Sequence, residues 1–194
     1  MNTIVLFLKL LKTSIKYGIK LNIGSASINY DKKWIPSDIH TLNILNVDDW
    51  KKNLLIFKAT NIMAEHVWEH LFEHEIRIAN VNCYNFLKKG GKLRLAVPDG
   101  YFPNEEYIGY VKPGGFGAGS DDHKILFNYK TLKIYLEEIG FRVNLLEYWD
   151  EEGKFHYNEW NVSDGFIERS SKFDERNQNG KLKYTSLIVD AIKE

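Results

Sequence analysis

The chain has 194 residues, enough for one domain with a buried core, and 14% of them are aromatic, which excludes wholesale disorder. Lysine plus arginine equal aspartate plus glutamate at 26 each, so no basic excess calls for a nucleic-acid partner and none is expected. The single cysteine, Cys83, leaves no intramolecular disulfide framework and agrees with a reducing cytoplasm, where we expect the chain to work.

Ile4 to Leu8 is an apolar stretch followed by Lys9 and Lys12, far short of the roughly 20 apolar residues of a membrane span. No span and no targeting leader are expected. Residues 1–18 read instead as an amphipathic helix packed on the domain. Docking of that helix to a membrane surface or to a second copy, giving a homodimer, is the alternative. Residues 20–23 read as a short strand ending at Gly24, and residues 34–39 as a second, entering a loop after Asp38. Residues 61–64 form a third.

From Glu65 to Leu87 the apolar residues Val67, Leu71, Ile78, Val81 and Phe86 recur near the helical period, so a helix is predicted, stopped by Lys89-Gly90-Gly91. Residues 93–97 are a strand closed by Pro98-Asp99-Gly100. Residues 101–128 read as a glycine-rich lid or insert, with an irregular loop over 112–122. Residues 129–138 form a helix closed by Gly140, and 141–148 a strand. Residues 151–180 are polar and irregular, with aromatics at Phe155, Tyr157, Trp160 and Phe166 that either shape a pocket or cover the sheet edge. Residues 186–192 are an apolar closing strand. Alternating strands and helices predict a single α/β domain over 1–194 with a mostly parallel sheet.

In such sheets ligands sit at the carboxyl ends of the strands. The first strand ends in Asn22-Ile23-Gly24-Ser25-Ala26, where glycine lets the backbone approach a ligand closely. Asp38 follows the second strand, and an acid there can accept hydrogen bonds from ribose hydroxyls. Each also has a bland reading, as a turn glycine and a capping aspartate.

Four stretches make the likeness specific: Lys20-Leu21-Asn22-Ile23-Gly24-Ser25-Ala26, Ala64-Glu65-His66-Val67-Trp68-Glu69-His70-Leu71, Leu87-Lys88-Lys89-Gly90-Gly91-Lys92-Leu93-Arg94-Leu95-Ala96-Val97-Pro98-Asp99-Gly100, and Tyr184-Thr185-Ser186-Leu187-Ile188-Val189-Asp190-Ala191. In order and spacing the chain resembles the class I S-adenosylmethionine-dependent methyltransferases, in particular a bacterial group of predicted methyltransferases. The resemblance implies a Rossmann-like three-layer sandwich with a seven-stranded, mostly parallel sheet whose last strand is antiparallel. It implies S-adenosylmethionine over the first two strands, with Asn22, Gly24, Ser25 and Ala26 along the methionine and ribose side. Asp38 would take the ribose hydroxyls and Asp49 the adenine amino group, with Glu65 and His66 at the mouth of the site. Ala26 stands where the family pattern has a second glycine, and the usual acidic residue early in the first strand is absent. These departures motivate a non-catalytic nucleoside-binding module as the alternative.

On the predicted helix, His66, His70 and His74 would stack along one side. His66-Val67-Trp68-Glu69-His70 also matches the H-x-x-E-H pattern of inverted zinc metalloproteases, so a zinc-dependent hydrolase using His66, Glu69 and His70 is a second alternative. The strand-to-helix context favours the methyltransferase, and no metal ligand is assigned. Methyl transfer from a sulfonium needs positioning and a base. His123, oriented by Asp122, is the candidate base, and Asp99 the candidate acceptor contact. The acceptor is expected to be a small molecule or a glycan.

Overall fold

In a computed structural model of the chain, the structure describes residues 18–25, 31–177 and 180–194. The expected N-terminal helix and Ala26 lie outside them. The described residues build a seven-stranded sheet of order β2-β1-β3-β4-β7-β5-β6. Its strands are β1 (Ile19–Ile23), β2 (Trp34–Ser37), β3 (Ala59–Glu65), β4 (Leu87–Pro98), β5 (Phe141–Trp149), β6 (Phe155–Tyr157) and β7 (Ser186–Lys193). Strands β1 to β4 pair in parallel. β7 runs antiparallel between β4 and β5, and β6 is an antiparallel edge hairpin on β5. This is the expected Rossmann-like sheet, mostly parallel and with antiparallel last strands.

Alternation along the strands assigns the two faces. Ile62, Ala64, Leu93, Leu95, Val189 and Ala191 point to one face and pack with Trp50, Leu54, Ile76, Ala79, Cys83, Leu132 and Leu136. Those partners come from helices α1 (Val47–Leu54), α2 (Glu73–Phe86) and α4 (Tyr129–Glu137). On the other face Ala96, Leu146 and Ile188 meet Ile167, with Trp160 against them. Among the described residues the third layer is therefore the irregular segment that crosses that face, not a set of helices.

A charged network holds that segment down. Arg94, wholly buried on β4, donates two hydrogen bonds to Asp190 of β7 at 2.7 and 2.8 Å. Its Nη1 also donates to the carbonyls of Asn161 and Gly165, and its guanidinium lies 4.9 Å from the Trp160 ring centroid. The buried Glu147 carboxylate accepts from Trp160 Nε1 and the Ser171 amide.

Three local expectations are corrected. The helix predicted from Glu65 begins only at Glu73, because His66 adopts φ +54° and Leu71 and Phe72 are extended. A short 3-10 turn, Trp68–His70, fills the gap. The three histidines therefore do not share a helix face. Gly90 and Gly91 do not cap the helix, whose C-cap is Leu87. They shape a bulge: Ala59 pairs with Leu87 and Asn61 with Lys92, so residues 88–91 loop out against Thr60. The second strand stops at Ser37, not at residue 39. The lid segment also contains a helix, α3 (Glu105–Val111), capped by the Asn104 side chain.

Candidate functional site

The chain runs from β1 to β2 on one side of β1 and then crosses to β3 on the other, so the strand order reverses between β1 and β3. A crevice forms where neighbouring strands send their connections to opposite sides. Here it lies at Gly24, just past β1, and at Glu65 and His66, where β3 ends. Gly24 has φ +69°, open to glycine and costly for other residues, and a Cβ there would overlap the Cγ2 methyl of Val67.

Two clefts meet at this point. One, of about 470 Å³, lies on the helix side and is lined by Ile23, Gly24, Asp38, Ile39, Val67 and His70, among others. Its walls are mostly aliphatic, and Ile39 is 70% exposed at its mouth. The other, of about 260 Å³, is polar and lined by Asn22, Ser25, Met63, Glu65, Phe166 and Arg169. Ile23, Gly24 and His66 belong to both. A hollow of about 490 Å³ between α3 and residues 181–184 lies away from the strand reversal, and one of about 430 Å³ adjoins the polar cleft through Asn22, Met63 and Phe166.

Of the sequence-predicted cofactor residues that the structure describes, all but Asp49 line these clefts. Asp38 Oδ1 accepts from the amides of His40 and Thr41 and from the Thr41 hydroxyl. Burial works to raise its carboxyl, but these hydrogen bonds outweigh it and hold the group below the ordinary carboxylate value. Among the described residues Oδ2 makes no hydrogen bond, which leaves it able to accept from a ligand diol. Ser25 donates its amide to the Ser37 carbonyl, tying the glycine turn to β2. Asp49 stands off the cleft walls, where its Oδ2 accepts from the Asn43 amide and braces the loop before α1.

Glu65 ends β3 with both oxygens engaged: Oε1 accepts from the Arg169 amide and Oε2 from the Glu168 amide. It anchors the polar wall. His66 lies with Nε2 3.0 Å from the Ser186 hydroxyl and Nδ1 3.2 Å from Glu69 Oε1. Arg169 and Met63 were not anticipated, and Phe166 only as one of the aromatics that either shape a pocket or cover the sheet edge. The segment that carries Phe166 and Arg169 reads as irregular polar sequence, and the Glu65 contacts place it at the cleft.

Of the three candidate catalytic residues, Asp122 lines the apolar cleft, whereas His123 and Asp99 line neither cleft. Asp122 pairs with His70 Nδ1 at 3.2 Å and with Lys124 Nζ at 2.6 Å, and so orients His70 rather than His123. His123 is nearly buried, and its Nδ1–H donates to the Val111 carbonyl at 2.6 Å. Asp99 is fully buried, and accepts from the Tyr101 amide on one oxygen and from the Trp149 amide on the other. It stitches the end of β4 to the end of β5. Burial pushes the Asp99 carboxyl up to about 6, against those two amide bonds. Protonation is thus favoured in the folded chain, so stability falls as pH climbs from about 4 to 6 and levels off above. Urea unfolding across that range should show this descending limb in the wild type and not in Asp99→Asn; equal slopes would refute the assignment.

No protein-family model and no curated protein matches this chain. Solved structures do. An S-adenosylmethionine-dependent methyltransferase of Thermotoga maritima matches at TM-score 0.52 and 14% identity, over 98% of this chain and 88% of that one. A protein of Listeria monocytogenes assigned as an S-adenosylmethionine-dependent methyltransferase matches at TM-score 0.51 and 11% identity, over 99% and 98% of the two chains. At these identities the likeness establishes the fold.

Proposed function

We propose that this chain, whose fold is that of the class I S-adenosylmethionine-dependent methyltransferases, binds S-adenosylmethionine across Gly24 and transfers its methyl group to a small-molecule or glycan-type acceptor. The observation that carries this reading is the pair of clefts meeting at Gly24 and His66, one apolar beside a carboxylate oxygen without a partner among the described residues, the other polar.

The adenosyl half fits the apolar cleft. Ile23, Ile39 and Val67 offer flat aliphatic surface to a purine, and Asp38 Oδ2 an acceptor to the ribose hydroxyls. The amino-acid half fits the polar cleft, where Asn22, Ser25 and Arg169 supply donors. When bound, the cofactor supplies a methyl group on a positively charged sulfur, open to in-line attack by an oxygen or nitrogen. The chain's task is then alignment and exclusion of water. Glu65 holds the 168–169 wall in place and Ser25 keeps the glycine turn against β2. His123 and Asp99 stand behind the cleft walls, so neither is assigned the base.

Calorimetry with S-adenosylhomocysteine tests the reading. Saturable one-to-one binding is expected, weakened on the order of 10- to 100-fold in Asp38→Ala, because the ribose loses a charged hydrogen-bond acceptor. Absence of saturable heat at millimolar nucleoside would end the assignment. Unchanged affinity in Asp38→Ala would move the ribose elsewhere.

A further inference from the structure

Beside the apolar cleft, the 3-10 turn brings a carboxylate against two imidazoles. The Glu69 carboxylate, the His70 ring and the His123 ring each offer one ligand atom, and these atoms lie within 4.8 Å of one another. The His70 and His123 rings meet edge to face with centroids 4.7 Å apart. Glu69 is 0% exposed, and neither of its oxygens has a hydrogen-bond partner among the described residues. His66 Nδ1 stands 3.2 Å from Oε1, close enough for charge pairing but without hydrogen-bond alignment. A buried carboxylate in this condition carries a large desolvation cost unless a cation meets it.

Each imidazole has its Nδ1 engaged. The Nδ1 of His70 faces Asp122, and the Nδ1–H of His123 is spent on the Val111 carbonyl, leaving Nε2 of each ring as the remaining donor atom. Metal-binding histidines characteristically give their other nitrogen to a carboxylate or a backbone carbonyl in this way. The scaffold is fixed as well. The buried Trp68 donates to Asn80 at 2.9 Å, and the Glu69 carbonyl accepts from the Lys124 amide at 2.7 Å, tying the turn to the segment that carries His123.

From this arrangement we propose that Glu69, His70 and His123 bind one divalent transition-metal ion of the zinc class, with Asp122 and the Val111 carbonyl orienting the two imidazoles. Two imidazoles and a carboxylate are a donor set that zinc accepts, and they leave a further position open. Bonds of about 2.0–2.2 Å in a tetrahedral site place ligand atoms about 3.3–3.6 Å apart, so the side chains close by roughly an ångström. His70 also lines the apolar cleft, which puts the open position next to it. The histidine pair differs from the one the H-x-x-E-H pattern suggests: His123, far along the chain, joins Glu69 and His70 in place of His66.

The test uses the full chain, stripped with chelator and titrated with zinc chloride by calorimetry, with cobalt(II) absorption as a second readout. One zinc per chain is expected, together with visible cobalt bands of a low-coordinate ion. Zinc affinity should drop on the order of 100-fold or more in Glu69→Gln and in His123→Gln, and about 10- to 100-fold in Asp122→Asn. Circular dichroism in chelator checks that the variants fold, and His70→Ala, at a partly exposed ring, carries the test if Glu69→Gln does not. Binding below one ion per chain, or affinity unchanged in folded variants, would overturn the site. Titrating S-adenosylhomocysteine into the metal-free protein keeps the two readings separate, since cofactor binding there survives whichever way the zinc titration falls.

Discussion

Replacing Arg94 by methionine is expected to lower the free energy of unfolding by about 3–5 kcal/mol, among the largest effects of any single substitution in this chain. The guanidinium supplies bidentate bonds to Asp190 and satisfies the Asn161 and Gly165 carbonyls, all within the sheet's second face. Methionine fills much of the volume but leaves the Asp190 carboxylate buried without its main cation. Lys92 Nζ, 4.0 Å from Asp190, offsets only part of this. Urea unfolding followed by tryptophan fluorescence measures the loss, and Trp160, stacked on the guanidinium, should report early release of its segment. Removing both charges in Arg94→Met/Asp190→Leu should recover a large part, since the cost of a broken pair is the charge left behind. A single-variant loss below about 1 kcal/mol would contradict the role given to this network.

Gly24→Ala should abolish most cofactor binding while leaving the fold intact. Two costs coincide there: φ +69° is disfavoured for alanine by about 1–2 kcal/mol, and the new methyl overlaps the Val67 side chain. The turn must shift, and a displacement of about an ångström at a ligand-facing backbone costs on the order of 100-fold. Shaving the neighbour in Gly24→Ala/Val67→Ala relieves the overlap but not the backbone strain, so affinity for S-adenosylhomocysteine should return only in part. Equal affinity in Gly24→Ala and wild type would remove the turn from the binding site.

The parallel half of the sheet was legible in the sequence because its signals are local. Apolar runs such as Leu93 to Val97 end at turn residues, and Gly24 and Asp38 sit where strands hand over to loops. α1 and α3 were missed although Asn46 and Asn104 cap them and acidic residues follow, because each is too short for its apolar period to show. The helix placed over Glu65–Leu87 was begun too early for the opposite reason. Val67 and Leu71 fall at helical spacing by coincidence, while His66 takes a left-handed backbone that spacing cannot reveal. The clefts were half visible: the β1 and β2 ends could be read, but Arg169 and Phe166 reach the site through the Glu65 carboxylate, a contact spanning over a hundred residues. Separation along the chain likewise hid the meeting of Glu69 with His123.

The seating of β7 between β4 and β5 bears on how the chain reaches its native state. Until residues 186–193 have been synthesised, β4 and β5 have open edges that, among the described residues, no other strand fills. Assembly therefore closes from the middle outward and late, and the nascent chain spends that interval exposed to edge-to-edge association.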